Sequence, residues 1–151
     1  MATRNPSIGS FYGIGMVPSE FWKDYGFALL IIAGADGDVS DPELEWLTLE
    51  VAEAIGADDD IVAEWEEFDY YDGDLREIFS HINSRSIASF SNLLIYDAIR
   101  MCSADDDYAQ EERERVGEAA AILNVSRESV IAIESLVEIE TAAAKMRTLI
   151  L

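Results

Sequence analysis

Apolar residues recur along this chain at helical spacing, and their arcs define the elements. Tyr25 to Ala35 is almost continuously apolar, which predicts a helix over residues 20–34, opened by Pro18-Ser19 and buried nearly all round. Leu44, Leu47, Val51, Ala54 and Ile55 mark one face of a helix over residues 41–55. Ser40 and Glu43 satisfy the S-x-x-E capping box at its start, Pro42 suits its first turn, and Gly56 suits the position after its end. Ile61, Val62 and Trp65 predict a third helix over residues 59–68, broken by Tyr70-Tyr71-Asp72-Gly73, and a short fourth follows over residues 74–82.

Residues 86–103 carry Ile87, Phe90, Leu94, Ile95, Ala98, Ile99, Met101 and Cys102 over about half a helical circumference, which predicts a second central helix. A helix over residues 109–123 then buries Val116, Ala120 and Leu123. Asn124 ends it, and Ser126 caps a last helix with Val130, Ile133, Leu136, Val137 and Ile139. No segment alternates as a strand would. The predicted fold is all-α, with about seven helices.

The order of helix, acidic turn, helix, connection and helix occurs twice. Ala35-Asp36-Gly37-Asp38-Val39-Ser40-Asp41-Pro42-Glu43 and Ala104-Asp105-Asp106-Asp107-Tyr108-Ala109-Gln110-Glu111-Glu112 begin 69 residues apart. At that offset Leu47 matches Val116, Val51 matches Ala120 and Ile61 matches Val130. The pattern predicts a bundle of two pseudo-repeated halves.

Carboxylate oxygens are hard donors suited to Ca2+, Mg2+ or Mn2+, and the spacing of Asp36 and Asp38 turns both toward one point in a tight turn. Glu43 reaches back from the first helical turn. Asp105, Asp107 and Glu112 repeat the arrangement. The spacing is not that of an EF-hand, and three carboxylates fall short of the six to eight oxygens Ca2+ takes, so backbone carbonyls, water or the opposite turn must complete a shell. The alternative is structural: caps and first-turn acids stabilise helix starts by about 1 kcal/mol each. Capping accounts for Ser40, Asp41 and Glu43. It leaves Asp36, Asp38 and the run from Asp105 to Asp107 unexplained.

Other candidate groups read as structural. His81 follows Glu77 by four residues, not the three of the di-iron E-x-x-H motif, and is expected at the surface. Cys102 has no histidine at helical spacing and is expected to be a small core side chain. Asp97 is expected half exposed at the edge of its apolar arc. Trp22, Trp46 and Trp65 are expected in the core, and Asp58 to Asp60 with Glu64, Glu66 and Glu67 on a solvated acidic face.

Ten Lys plus Arg stand against 31 Asp plus Glu among 151 residues, a formal net charge of -21. This field repels phosphates and anionic lipid, so nucleic acid is not an expected partner and a protein with a basic surface is. A surface adapted to high salt is the alternative that needs no site. The length and a hydrophobic content of 50% suit one domain. Residues 1–18 are expected to form a flexible N-terminal arm, although Ile8, Phe11, Tyr12, Ile14, Met16 and Val17 give it apolar character, and residues 19–151 the helical domain. One cysteine excludes an intramolecular disulfide, and the N-terminus lacks an apolar leader core, so a cytoplasmic location is expected. The apolar run of the first helix is about half the ~20 residues of a membrane span, so direct insertion is not expected.

The string Ile32-Ala33-Gly34-Ala35-Asp36-Gly37-Asp38-Val39-Ser40 through Glu43, followed by a helix ending in Ile55-Gly56, resembles the TerB-like family, which includes the tellurite-resistance protein TerB and the N-terminal domain of the membrane co-chaperone DjlA. Matching segments run over residues 25–140. The resemblance implies an all-helical bundle of two similar halves, acidic positions proposed to chelate metal, and a non-enzymatic role in stress or phage defence. The family's acidic turn falls on Asp36, Asp38 and Glu43, and on Asp105, Asp107 and Glu112 with two departures: Asp106 replaces the usual Gly and Ala109 the usual capping Ser. The combined expectation is a non-enzymatic stress-response scaffold that binds a divalent cation, Ca2+ first with Mg2+ or Mn2+ as alternatives, through Asp36, Asp38, Glu43, Asp105, Asp107 and Glu112. The second expectation is an acidic protein-protein interaction module without metal. Oligomeric state is open.

Overall fold

A computed structural model describes residues 17–151. Among these the chain forms seven helices and no strand. A 3-10 turn at Ser19–Phe21 leads into α1 (Trp22–Ala33). The second, α2, runs as Asp41–Glu45, a wider π-helical stretch Trp46–Val51, and Ala52–Ile55. They are followed by α3 (Asp59–Glu67), α4 (Leu75–Ser80), α5 (Ser84–Cys102), α6 (Gln110–Leu123) and α7 (Arg127–Ile150).

The two most apolar helices, α1 and α5, pack on each other at the centre. Helices α3 and α4 lie against α1, while α6 and α7 lie against α5. Tyr25, Leu29, Ile32, Phe90, Leu94 and Ile99 are all at most 1% exposed in this seam, and burying such a side chain is worth about 1.5–3 kcal/mol. Gly26 lets the indole of Trp65 lie directly on the α1 backbone, where its Nε1 donates to the Trp22 carbonyl at 3.1 Å. Of the expected arm, residues 1–16 lie outside the described part. Val17 is buried, and its carbonyl accepts from Trp22 Nε1 at 3.0 Å.

The two halves share their backbone path. Gly37 (φ 108°) and Asp106 (φ 63°) take the same left-handed turn position, so Asp106 fills the glycine site at a conformational cost that Asp tolerates better than most residues. Phe21 and Phe90, also 69 residues apart, meet with ring centroids 6.5 Å apart. The offset then changes. The left-handed caps Gly56 and Asn124, and the N-caps Asp58 and Ser126, are 68 residues apart. The π-helical stretch of α2 absorbs one extra residue, which widens the helix locally instead of breaking it. Val130 therefore corresponds to Val62, not to Ile61.

One other expectation is corrected. Asp97 is 2% exposed, not half exposed. In α7 only Val137 is buried, while Leu136 and Ile139 face solvent. The helix is held by polar contacts as well: Tyr96 donates to Glu140 at 2.6 Å, Tyr108 to Glu134 at 3.1 Å, and Arg113 pairs with Glu134 at 2.7 Å. No described helix is long and apolar enough to cross a membrane.

Candidate metal centre

Each acidic turn follows the C-terminus of a central helix and opens the next helix. In the first, Ser40 Oγ accepts from the Glu43 amide at 3.3 Å, and Glu43 Oε1 accepts from the Ser40 amide at 2.8 Å. The capping box is complete. In the second, Ala109 has no side-chain oxygen, so only the returning half exists, with Glu112 Oε1 accepting from the Ala109 amide at 2.9 Å. Both glutamates are thereby pinned by one oxygen against their own helix start.

The aspartates serve their turns. Asp36 Oδ1 accepts from the Asp38 amide at 3.4 Å and Asp105 Oδ1 from the Asp107 amide at 3.0 Å, the local turn bonds characteristic of Asp. Tyr70 bridges the first turn: its hydroxyl accepts from the Val39 amide and donates to Asp38 Oδ1, both at 3.1 Å. Asp36, Asp38 and Asp107 are exposed and Asp105 half-buried. The six expected ligands thus separate into four turn aspartates near solvent and two interior glutamates.

Packing brings the glutamates together. The first acidic turn lies against α6, so the N-termini of α2 and α6 meet beside the end of α5. Glu43 is 1% exposed, and Glu112 and Cys102 are 0% exposed. One donor atom of each, two carboxylate oxygens and the thiol sulfur, lies within 4.8 Å of the others. The glutamate oxygens not engaged in capping, Glu43 Oε2 and Glu112 Oε2, are buried without a hydrogen-bond partner. A buried polar atom without a partner costs about 1–3 kcal/mol, more when charged.

Burial is the largest influence pushing both carboxyl groups above their ordinary range. Their mutual contact has a sign that depends on which holds the proton. Asp36 of the first turn pushes Glu112 further up, while Asp105 of the second pushes Glu43. The outer acids thus act crosswise on the inner pair. The Cys102 thiol is raised well above its usual range, first by burial and then by the Glu112 and Glu43 charges. Two ionised carboxylates here require a positive partner: a proton held between them, or a cation.

Sequence reasoning placed Cys102 in the core and missed this contact. Its position ends the central helix just before the second turn, matching Ala33 before the first, and that correspondence is the signal that places its side chain at the meeting of the turns. His81 is at the surface as expected, beside Asp24 at 3.3 Å.

No protein-family model matches the chain, and no curated protein matches it. A crystal structure of a tellurite resistance protein from Nostoc punctiforme is similar over 93% of this chain and 86% of its own, with a TM-score of 0.75 and 25% identity. The chain is TerB-like. In this TerB-like bundle the two departures in the second turn are structurally absorbed: Asp106 adopts the glycine conformation, and Glu112 makes its half of the cap without a serine.

Proposed function

We propose that this TerB-like protein binds a divalent cation where its two acidic turns meet, and acts as a non-enzymatic stress-response scaffold. The supporting observation is the pair of partnerless buried oxygens, Glu43 Oε2 and Glu112 Oε2. Each glutamate is oriented by its capping bond and leaves its second oxygen for a ligand. Asp36 and Asp105 add negative potential from the rim, which draws cations inward. Asp38 and Asp107 sit farther out, as electrostatic contributors.

A non-catalytic role suits the site's chemistry. Its thiol has no histidine to activate it, and the interior placement of the glutamates suits holding an ion more than receiving a substrate. The charge of -21 favours a protein partner with a basic surface, and the exposed acids Asp58, Asp59, Asp60, Glu64, Glu66 and Glu67 supply a face for it. A cytoplasmic setting agrees with the single, unpaired thiol. The test is calorimetric titration of chelator-treated protein with Ca2+, Mg2+, Mn2+ and Zn2+, for the wild type and for Glu43→Gln and Glu112→Gln. Saturable binding lost in both variants supports the reading. Absence of binding to every ion overturns it.

The second reading is an interaction module without metal, in which the glutamates share a proton. It is favoured by the apolar outer face of α7, where Leu136, Ile139, Met146, Leu149 and Ile150 are between 46% and 86% exposed. Such a stripe at helical spacing suits a protein contact.

A further inference from the structure

We propose that the Cys102 sulfur is itself a ligand of the cation, so that the centre takes a borderline divalent transition ion, of the Zn2+, Co2+ or Fe2+ class, in preference to Ca2+. The inference rests on the cation reading above.

The sulfur approaches from α5, a direction neither capping box supplies. It lies within 4.8 Å of a carboxylate oxygen of both Glu43 and Glu112, and all three side chains are interior. The two partnerless oxygens belong to this same trio. Tetrahedral ligands at Zn–O and Zn–S bond lengths stand about 3.5 Å apart, so a small contraction of the side chains would bring the trio onto one ion.

Packing alone does not call for sulfur. At the corresponding place in the first half stands Ala33, also 0% exposed, where a methyl group completes the same helix end. The pseudo-symmetric carboxylate pair thus carries a thiol on one side only.

Donor chemistry then selects the ion. Ca2+ takes six to eight oxygens, whereas the interior offers two carboxylates and a sulfur. Asp36 and Asp105, whose charges reach the trio, stand outside that interior, the first exposed and the second half-buried. Thiolate with carboxylate suits a four-coordinate ion with one more ligand such as water. The thiol proton, and any proton held by the carboxyl pair, leave to solvent as the ion enters.

The probe is Co2+ added to the full-length, chelator-treated protein, with binding measured by equilibrium dialysis and coordination by absorption spectroscopy. The wild type is expected to bind Co2+ with a sulfur-to-cobalt charge-transfer band in the near ultraviolet. Cys102→Ala, which recreates the Ala33 arrangement, is expected to lose the band and to weaken Co2+ binding by about tenfold or more. Zn2+ should show a zinc–sulfur distance near about 2.3 Å by X-ray absorption. That wild-type measurement decides the matter if Cys102→Ala fails to fold by circular dichroism. Co2+ bound without sulfur signature, or Ca2+ bound more tightly than Co2+ and Zn2+, overturns this inference and leaves the cation reading standing. No binding of any ion removes both.

Discussion

The phenol of Tyr25 donates a 2.6 Å hydrogen bond to Asp97 Oδ2, joining the two central helices at a point where both side chains are buried. Burial pushes the Asp97 carboxyl up to about 6, against the opposing effects of the Tyr25 bond and Arg100. The folded protein therefore holds this proton more tightly than the unfolded chain does, and stability contributed by the protonated form is lost as pH rises from about 4 to about 6. At 1.36 kcal/mol per unit the contribution is of order 3 kcal/mol.

Replacing the acid should flatten that dependence. Asp97→Asn is expected to lose less stability than the wild type between pH 4 and pH 6, the window of the raised carboxyl. Tyr25→Phe should destabilise by about 1–3 kcal/mol, and more at pH 7 than at pH 4, because it leaves a buried carboxylate without its donor. Urea melts of the three proteins across this range check both statements. Parallel pH profiles for the wild type and Asp97→Asn would show that Asp97 is not the group responsible.

Substitution at the inner carboxyl pair should have opposite effects with and without metal. In chelator at pH 7 the buried pair must hold a proton that free carboxyls would release, whereas Glu43→Gln supplies a permanent amide donor to Glu112, so its melting temperature should rise. With saturating cation the wild type alone gains RT ln(1 + [L]/Kd), about 2.7 kcal/mol at a hundredfold excess, a shift of several degrees for a domain of this length. Asp36→Asn should follow the same signs with smaller amplitude, since Asp36 is exposed. Identical cation-induced shifts for the wild type and Glu43→Gln would exclude Glu43 as a ligand.

Gly26→Ala should be among the most damaging single-methyl changes. The added carbon would overlap the indole ring of Trp65, whose Nε1 is committed to the Trp22 carbonyl. Overpacking of this kind costs about 1–3 kcal/mol. Thermal melting, with tryptophan emission reporting displacement of the ring, measures it.

The two faces of α7 should respond differently. Val137→Ala removes buried volume and is expected to cost about 1–3 kcal/mol, whereas Ile139→Ala, at 66% exposed, should fall within about 0.5 kcal/mol of the wild type. Chemical denaturation distinguishes them. A large loss at Ile139 would mean that the outer stripe is covered in solution.

Local interactions made most of the fold legible from sequence. Helical periodicity, the Ser40–Glu43 box and the cap at Ser126 involve residues within a few positions of one another, so their outcome is largely written in neighbouring side chains. The duplication was legible for the same reason, because equivalent turns repeat equivalent local demands. The change of offset within α2 was not, since Trp46–Val51 reads as ordinary amphipathic helix and only hydrogen-bond geometry distinguishes π from α.

Tertiary packing decided what the acidic turns contain. All six acids look alike in sequence, yet docking the first turn on α6 sends Glu43 and Glu112 inward beside Cys102 while Asp36, Asp38 and Asp107 stay exposed. The burial of Asp97 and the exposure of Ile139 have the same origin: each depends on whether another helix covers that face, and α1 covers the first while no described helix covers the second. By itself the sequence determined an all-helical chain of two similar halves, because capping and periodicity are short-range. The identity of the interior ligands came only from the fold, because the energies that bury a carboxylate or leave it in water depend on residues 69 positions away.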